Sequence, residues 1–86
     1  MKVGVAGSVE SNDILITVVE SNELVIEITS IVDAFFHDQI EKVIKNTLKE
    51  FNIQKIKVTC QDKGALDYTI KARLVTALTR MEASNA

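Results

Sequence analysis

Apolar and polar positions alternate along short stretches of the chain, in the pattern of half-buried strands. Residues 14–19, Ile-Leu-Ile-Thr-Val-Val, are rich in β-branched side chains, and residues 24–29 alternate cleanly between apolar and polar positions. Residues 21–23, Ser-Asn-Glu, are typical of a tight turn. Together they predict an antiparallel hairpin with one buried face. Residues 3–8 are a candidate for an additional short edge strand.

Two longer segments carry apolar residues at the three- and four-residue spacing of amphipathic helices. The first segment begins at Ser30-Ile31-Val32-Asp33, which resembles a capping box, and ends near Asn52, a residue suited to a left-handed helix end. Its predicted core stripe is Val32, Phe36, Ile40, Val43, Ile44, Leu48 and Phe51. A strand over residues 53–60 and the turn residues 62–64 lead to a second helix that ends near Met81. Its predicted core stripe is Leu66, Ile70, Leu74, Ala77, Leu78 and Met81.

The element order β-β-α-β-α, with the candidate strand in front, predicts an α+β fold of the two-layer sandwich type. The sheet would be small and mainly antiparallel. Both helices would cover the same face of it, because each helix has one apolar stripe and each strand has one apolar face. Residues 1–86 contain no linker, low-complexity tract or internal repeat, so they predict a single domain.

Composition narrows the classes of function. Ten basic and twelve acidic residues give a net charge of −2, which argues against non-specific binding of nucleic acid. Cys60 is the single cysteine, so it can form neither an intrachain disulfide nor a zinc site with other cysteines. The sequence has no secretory signal pattern and no long apolar run. These features predict a cytoplasmic protein that does not enter a membrane.

Few residues could run a reaction. His37 is the only histidine, and Asp33 lies four residues before it, but general-base catalysis would also need a nucleophile within reach. A surface or helix-pairing role is therefore the favoured interpretation of His37. Cys60 falls on the apolar face of its strand, which favours a buried, inert thiol over a nucleophile.

The second helix carries most of the remaining charged candidates. Three carboxylates near its ends are too few for a metal site, and two of them could stabilise its N-terminus: Asp62 as a cap and Asp67 through the helix dipole. The third of these carboxylates is Glu82. Three basic residues on this helix could form a solvated face or could dock an acidic partner or phosphates. They are Lys71, Arg73 and Arg80.

Ser11 is the most informative polar residue. It lies within Gly7-Ser8-Val9-Glu10-Ser11-Asn12-Asp13, a run of small and turn-forming residues before an apolar strand. A hydroxyl there would be exposed and open to covalent attachment. Composition alone favours an ordinary turn residue. Gly64 likewise could be a turn glycine or could open a site where backbone amides face an anion.

Two motifs change this interpretation of Ser11. Residues 6–13, Ala-Gly-Ser-Val-Glu-Ser-Asn-Asp, resemble the N-terminal signature of the citrate lyase acyl carrier proteins, the γ chains of that complex. Residues 62–67, Asp-Lys-Gly-Ala-Leu-Asp, with 70–74, Ile-Lys-Ala-Arg-Leu, resemble the C-terminal signature of the same family. The resemblance covers nearly the whole chain. Asn12 stands where the family often has glycine, and asparagine tolerates a left-handed turn.

The resemblance implies a carrier without catalytic residues of its own. The family attaches 2'-(5''-phosphoribosyl)-3'-dephospho-CoA to the serine of its Glu-Ser pair, which is Ser11 here. The arm would carry acetyl and citryl thioesters between the α subunit, an acyl transferase, and the β subunit, an acyl lyase, during cleavage of citrate to oxaloacetate and acetate. A prosthetic-group transferase would load it. Two alternatives stay open: the related carrier of malonate decarboxylase, and an α+β module that binds partners or ligands non-covalently.

Overall fold

Four strands and two helices form in the order β1-β2-β3-α1-β4-α2. The structure is a computed structural model that describes residues 1–31 and 34–84. Its strands are β1 (Val3–Gly7), β2 (Ile14–Val19), β3 (Leu24–Ser30) and β4 (Ile56–Asp62). Its helices are α1 (Ala34–Glu50) and α2 (Asp67–Ala83). The candidate N-terminal strand is therefore present as β1.

The strands form one mixed sheet in the order β1-β2-β4-β3. The pairs β1–β2 and β2–β4 are antiparallel, whereas β3–β4 is parallel. Alternate residues of the central strands β2 and β4 are buried on one face, where Ile16 lies opposite Cys60 and Val18 opposite Val58. Helix α2 packs on β1 and β2, and α1 packs on α2 and β3. The predicted two-layer α+β fold with a mainly antiparallel sheet is confirmed.

The predicted hairpin between residues 14–19 and 24–29 is wrong. Strand β4 lies between β2 and β3, and β3 pairs in parallel with β4 through the crossover helix α1. The residues between β2 and β3 lack the Asn-Gly or Asp-Gly pair of a tight two-residue turn. Strand β4 buries its whole inner face and belongs in the centre, while Leu24 of β3 is 44% exposed, which suits a strand at the edge.

The helix stripes were predicted correctly at their centres and wrongly at their ends. Ile40, Ile44 and Leu48 of α1 and all the predicted residues of α2 from Ile70 onwards are buried. Phe36, Phe51 and Leu66 are about half exposed or more, because they lie in the first turn of α1, just after its last residue, and just before α2 begins. Val32 lies outside the described residues. Asn52 adopts φ 57°, the left-handed helix end that the sequence predicts.

The capping box predicted over residues 30–33 stays a prediction, because two of its residues lie outside the described ones. Ser30 is the last residue of β3, and the first described residue of α1 is Ala34. The Ser30 hydroxyl donates to Asp62 Oδ2 at 2.9 Å, so it joins the ends of two parallel strands. Asp33, the acid of the predicted box, lies outside the described residues. No helix within 1–31 and 34–84 has the length and apolar character needed to cross a membrane.

Candidate attachment site at Ser11

Ser11 lies at the tip of the loop that joins β1 to β2. The amide of Asp13 donates to the carbonyl of Glu10 at 3.2 Å and closes a turn around Ser11 and Asn12. Asn12 has φ 66°, whereas Ser11 does not have a positive φ, the pair of signs that a type II turn requires. Asparagine is among the few residues other than glycine that adopt this conformation readily. The local sequence therefore builds a tight turn with Ser11 at its corner.

The two serines of this loop differ in what their hydroxyls do. Ser11 is exposed, and its hydroxyl has no hydrogen-bond partner among residues 1–31 and 34–84. Ser8 is half-buried, and its hydroxyl donates to Asp13 Oδ2 at 2.7 Å. An exposed hydroxyl without an internal partner could accept a covalent group without breaking a hydrogen bond among the described residues, whereas the Ser8 hydroxyl could not.

Asp13 anchors the base of the turn. Its Oδ1 accepts from Arg73 Nε at 2.9 Å and from the amide of Ile14 at 2.8 Å. Its Oδ2 accepts from Arg73 Nη2 at 3.2 Å and from the hydroxyl of Ser8. The two arginine contacts form a bidentate, charge-assisted pair, which fixes direction as well as distance. This cluster holds the turn against α2 while Ser11 stays free.

Glycine is required where β1 ends. Gly7 adopts φ 91°, and a Cβ built there would lie 1.8 Å from the carbonyl oxygen of Ile14 and 3.3 Å from Cδ of Arg73. Any side chain would push the loop off β2 and disturb the arginine that holds Asp13. Gly7 thus lets the chain reverse closely enough for the Asp13–Arg73 pair to form.

The ion pair between Asp13 and Arg73 makes the free energy of unfolding depend on pH in the acidic range. Hydrogen bonds from Arg73, Ser8 and the Ile14 amide lower the pKa of Asp13 from 3.8 to about 2. A lowered folded-state pKa contributes stability above the unfolded pKa, and that stability is lost as the pH falls from about 4 to about 2. We expect Asp13→Asn to lower the free energy of unfolding at pH 7, and the difference from the parent to shrink over that window. Urea unfolding at pH 7, 4 and 2.5 measures this.

Asp38→Asn is the matched control for that experiment. The Asp38 side chain is 93% exposed, and its one ion-pair partner among residues 1–31 and 34–84 is His37, at 3.9 Å. We therefore expect the control to change the free energy of unfolding little at pH 7. Equal effects of the two substitutions at pH 7 would show that the Asp13 pair does not anchor the turn.

The loop after β4 packs directly against the Ser11 turn. The amide of Asn12 donates to the carbonyl of Lys63 at 2.8 Å, and the amide of Lys63 donates to the carbonyl of Asp13 at 2.9 Å. These bonds extend the β2–β4 ladder beyond the strands. Gly64 has φ 95°, as a turn glycine does, and a Cβ built there would lie 3.6 Å from Asn12 Oδ1, an ordinary van der Waals distance. The two sequence motifs, far apart in the chain, are adjacent in the fold.

The prediction that Asp62 caps α2 is wrong. Its carboxylate instead accepts hydrogen bonds that order the loop between β4 and α2. Asp62 is 2% exposed, and its Oδ1 accepts from the amide of Ala65 at 3.0 Å. Its other oxygen accepts from Ser30. The N-cap position of α2 is Leu66, which makes no side-chain cap, and Asp67 in the first turn supplies the predicted negative charge. Asp62 thus orders the turn before the helix.

The basic residues of α2 are engaged within the fold. Lys71 Nζ lies 3.0 Å from Glu50 Oε2, and Arg73 holds Asp13. Arg80 Nη1 donates to the carbonyl of Val5 at 2.7 Å. These contacts join α2 to α1, to the Ser11 loop and to β1, so the three cations serve packing in this structure.

Among the residues that the structure describes, the one charged neighbour of His37 is Asp38. The imidazole is partly exposed, and its Nδ1 lies 3.9 Å from Asp38 Oδ1. Asp33, its predicted partner, lies outside the described residues. Of the acidic, histidine and cysteine side chains in 1–31 and 34–84, none form a group of three or more that could hold a metal ion.

Cys60 is a buried core residue, as the sequence predicts. It is 1% exposed, and burial, followed by the negative charge of Asp62, raises the pKa of its thiol to about 12. We expect native protein at pH 8 to resist a thiol-specific reagent for hours and to react fully once unfolded in urea. Asn46→Cys, which places a second thiol at an exposed position of α1, should react with one equivalent while folded. Labelling of native Cys60 within minutes would contradict its burial.

The chain matches one protein family and several citrate lyase acyl carrier proteins. The family described as acyl carrier protein, malonate decarboxylase delta subunit, matches residues 1–81. The citrate lyase acyl carrier protein of Halothermothrix orenii is 49% identical over 76 residues, which cover 87% of this chain and 81% of that protein. The protein of the same name from Oenococcus oeni is 49% identical over 80 residues, covering 92% and 82%. That from Fusobacterium nucleatum is 45% identical over 85 residues, covering 96% and 90%.

A solved structure shares the fold at low identity. The crystal structure of a Pseudomonas malonate decarboxylase hetero-tetramer in complex with malonate contains a chain with a TM-score of 0.81 and 15% identity, covering 93% of this chain and 84% of that one. The mixed sheet with its two helices is therefore the fold of a chain of that assembly. The chain belongs to the family of citrate lyase acyl carrier proteins.

The sequence patterns do not predict the cluster that positions Ser11. They assign Asp13 and Ser8 to ordinary turn residues and Arg73 to a basic helix face. The available signal was that each motif carries one residue of the pair, an acid in the first and an arginine in the second. Spacing alone could not show that they meet, because the contact depends on how α2 lies against the loop.

Proposed function

We propose that this chain is the acyl carrier subunit of citrate lyase, with 2'-(5''-phosphoribosyl)-3'-dephospho-CoA attached to Ser11. The observation that carries the proposal is a contrast within one loop: the Ser8 hydroxyl and the Asp13 carboxylate hold the turn, whereas the Ser11 hydroxyl is exposed and has no hydrogen-bond partner among the described residues. Relatives of this chain bear the name of that carrier.

The residues present fit such a group. A serine Oγ at a turn corner can be joined through a phosphodiester without steric conflict, and the linkage is stable at neutral pH. The attached group supplies a terminal thiol that carries acetyl and citryl as thioesters. Cys60 is buried, so it does not compete for the acyl group. Asp13 and Arg73 would keep the turn rigid while the arm moves.

A division of labour among subunits is supported by the names of the relatives, which are acyl carrier proteins of citrate lyase. Acyl exchange by the α subunit, citryl cleavage by the β subunit and loading by a prosthetic-group transferase would all be performed by partner proteins. Tethering the thioester raises its effective concentration at two active sites in turn and avoids diffusion of a free intermediate. The complex would work in the cytoplasm.

Loading tests the proposal. Co-expressed with a citrate lyase prosthetic-group transferase and the enzyme that makes its donor, the carrier should gain the mass of one phosphoribosyl-dephospho-CoA, and fragmentation should place it on Ser11. A carrier that keeps its unmodified mass under conditions that load a known relative would instead favour the non-covalent module.

The carrier of malonate decarboxylase is the second candidate. It is favoured by the description of the matching family and by the shared fold with a chain of a malonate decarboxylase assembly. Loaded carrier combined with citrate lyase α and β subunits should restore citrate cleavage. Restored malonate decarboxylation with the other enzyme's subunits, and no citrate cleavage, would select the second candidate.

A further inference from the structure

Three cations of the second motif lie in or near the loop that packs on the Ser11 turn. They differ in whether a carboxylate of the fold pairs with them. Lys71 Nζ lies 3.0 Å from Glu50, and Arg73 Nε lies 2.9 Å from Asp13. Lys63 has no carboxylate within ion-pair distance among residues 1–31 and 34–84. Of these three, only Lys63 keeps its charge available to a ligand.

Lys63 is held beside Ser11 through its backbone. Its carbonyl accepts from the amide of Asn12 at 2.8 Å, and its amide donates to Asp13 at 2.9 Å. Adjacent strands of a ladder lie about 5 Å apart, and Ser11 directly precedes Asn12. A lysine carries its ammonium on a flexible four-carbon stem, which reaches across such a distance. The side chain is only partly buried, so its end can meet a group on the turn.

The electrostatics of the turn favour a cation here. Glu10, next to Ser11, is exposed, and an anion bound at Ser11 would be repelled by its carboxylate. The other nearby carboxylates are satisfied within the fold: Asp13 by Arg73, and Asp62 by Ser30 and the amide of Ala65. Lys63 is thus the available positive charge that can offset Glu10 beside a negatively charged attachment.

We propose that Lys63 forms an ion pair with the phosphodiester through which the prosthetic group joins Ser11. This inference rests on the proposed function, because it concerns the phosphate that attachment brings. The pair directs the first part of the arm toward the loop between β4 and α2 and leaves the remainder free to reach partner subunits. Arg73 takes no part, since leaving Asp13 would release the base of the turn.

The test compares loaded proteins by ³¹P NMR. Intact mass first establishes loading of the parent, of Lys63→Gln and of the control Lys55→Gln, an exposed lysine before β4, at the opposite end of that strand. In the parent, the phosphodiester resonance should differ from that of a loaded, unfolded reference. About 1 M salt, which screens exposed charges that lie more than about 3 Å apart, should move it toward that reference. Lys63→Gln should already lie there and be insensitive to salt, and Lys55→Gln should match the parent.

The outcomes separate this inference from the function beneath it. Absence of any adduct in the parent overturns the proposed function. An adduct whose resonance and salt dependence are the same in parent and Lys63→Gln overturns the ion pair and leaves the carrier function standing. Should the transferase load Lys63→Gln poorly, the salt titration of the parent decides, because a resonance unmoved by salt contradicts the pair.

Discussion

Ser11→Ala is expected to abolish attachment of the prosthetic group and, with it, citrate cleavage by the reconstituted complex. Alanine removes the hydroxyl oxygen of Ser11, so no phosphodiester can form at this position. The free energy of unfolding should change by no more than about 0.5 kcal/mol, since the exposed hydroxyl makes no hydrogen bond with the described residues. Intact mass after co-expression with the transferase, an assay of the complex and urea unfolding measure the three quantities.

Ser8→Ala is the matched control, because it removes a hydroxyl from the same loop. It deletes the hydrogen bond to Asp13, so it should lower stability by about 1 kcal/mol while still allowing the adduct to form on Ser11. Adduct formation on Ser11→Ala equal to that of the parent would show that another residue carries the arm. A loss of several kcal/mol on Ser11→Ala would show that its hydroxyl is structural.

The alternation of side chains along each strand sufficed to predict the layers but not the order of strands. Ile14, Ile16 and Val18 are buried as their period of two requires. The order is decided by pairing between distant segments, and β4 takes the place beside β2 that the nearer β3 was predicted to hold. The spacing of apolar residues and the composition of turns describe local structure. The parallel crossover β3-α1-β4 depends instead on which strand buries more apolar surface at the centre of the sheet.

The candidate site likewise has local features that the sequence predicts and contacts between distant segments that it does not predict. Ser11 could be singled out from its turn chemistry and from the likeness of two motifs. The left-handed conformation of Asn12 follows from residue type. The pairing of Asp13 with Arg73 and the hydrogen bonds of Asn12 with Lys63 join segments that are distant in sequence, so they emerge only once α2 and β4 are placed.

Gly4→Ala is expected to destabilise the fold by about 3 kcal/mol, a large share of the roughly 5–10 kcal/mol typical of a domain of this size. A Cβ at Gly4 would lie 1.9 Å from the carbonyl oxygen of Ala77 and 2.6 Å from the amide nitrogen of Met81. Both atoms belong to the backbone of α2, so no rotamer change can relieve the clash and the helix must move off β1. The midpoint of urea unfolding, with the slope against urea compared between variants, measures the effect.

Two controls isolate the close approach of helix and strand. Val5→Ala alters an exposed residue of the same strand and should cost about 0.5 kcal/mol or less. Gly64→Ala meets nothing closer than 3.6 Å but places alanine at φ 95°, so its cost of about 1 kcal/mol would come from backbone strain alone. Gly4 has no positive φ, so its larger effect would come from the contact itself.

Because Arg73 extends from the same helix to Asp13, a shift of α2 should also loosen the Ser11 turn and slow loading. Unchanged stability of Gly4→Ala would mean that α2 does not lie against β1 at this distance.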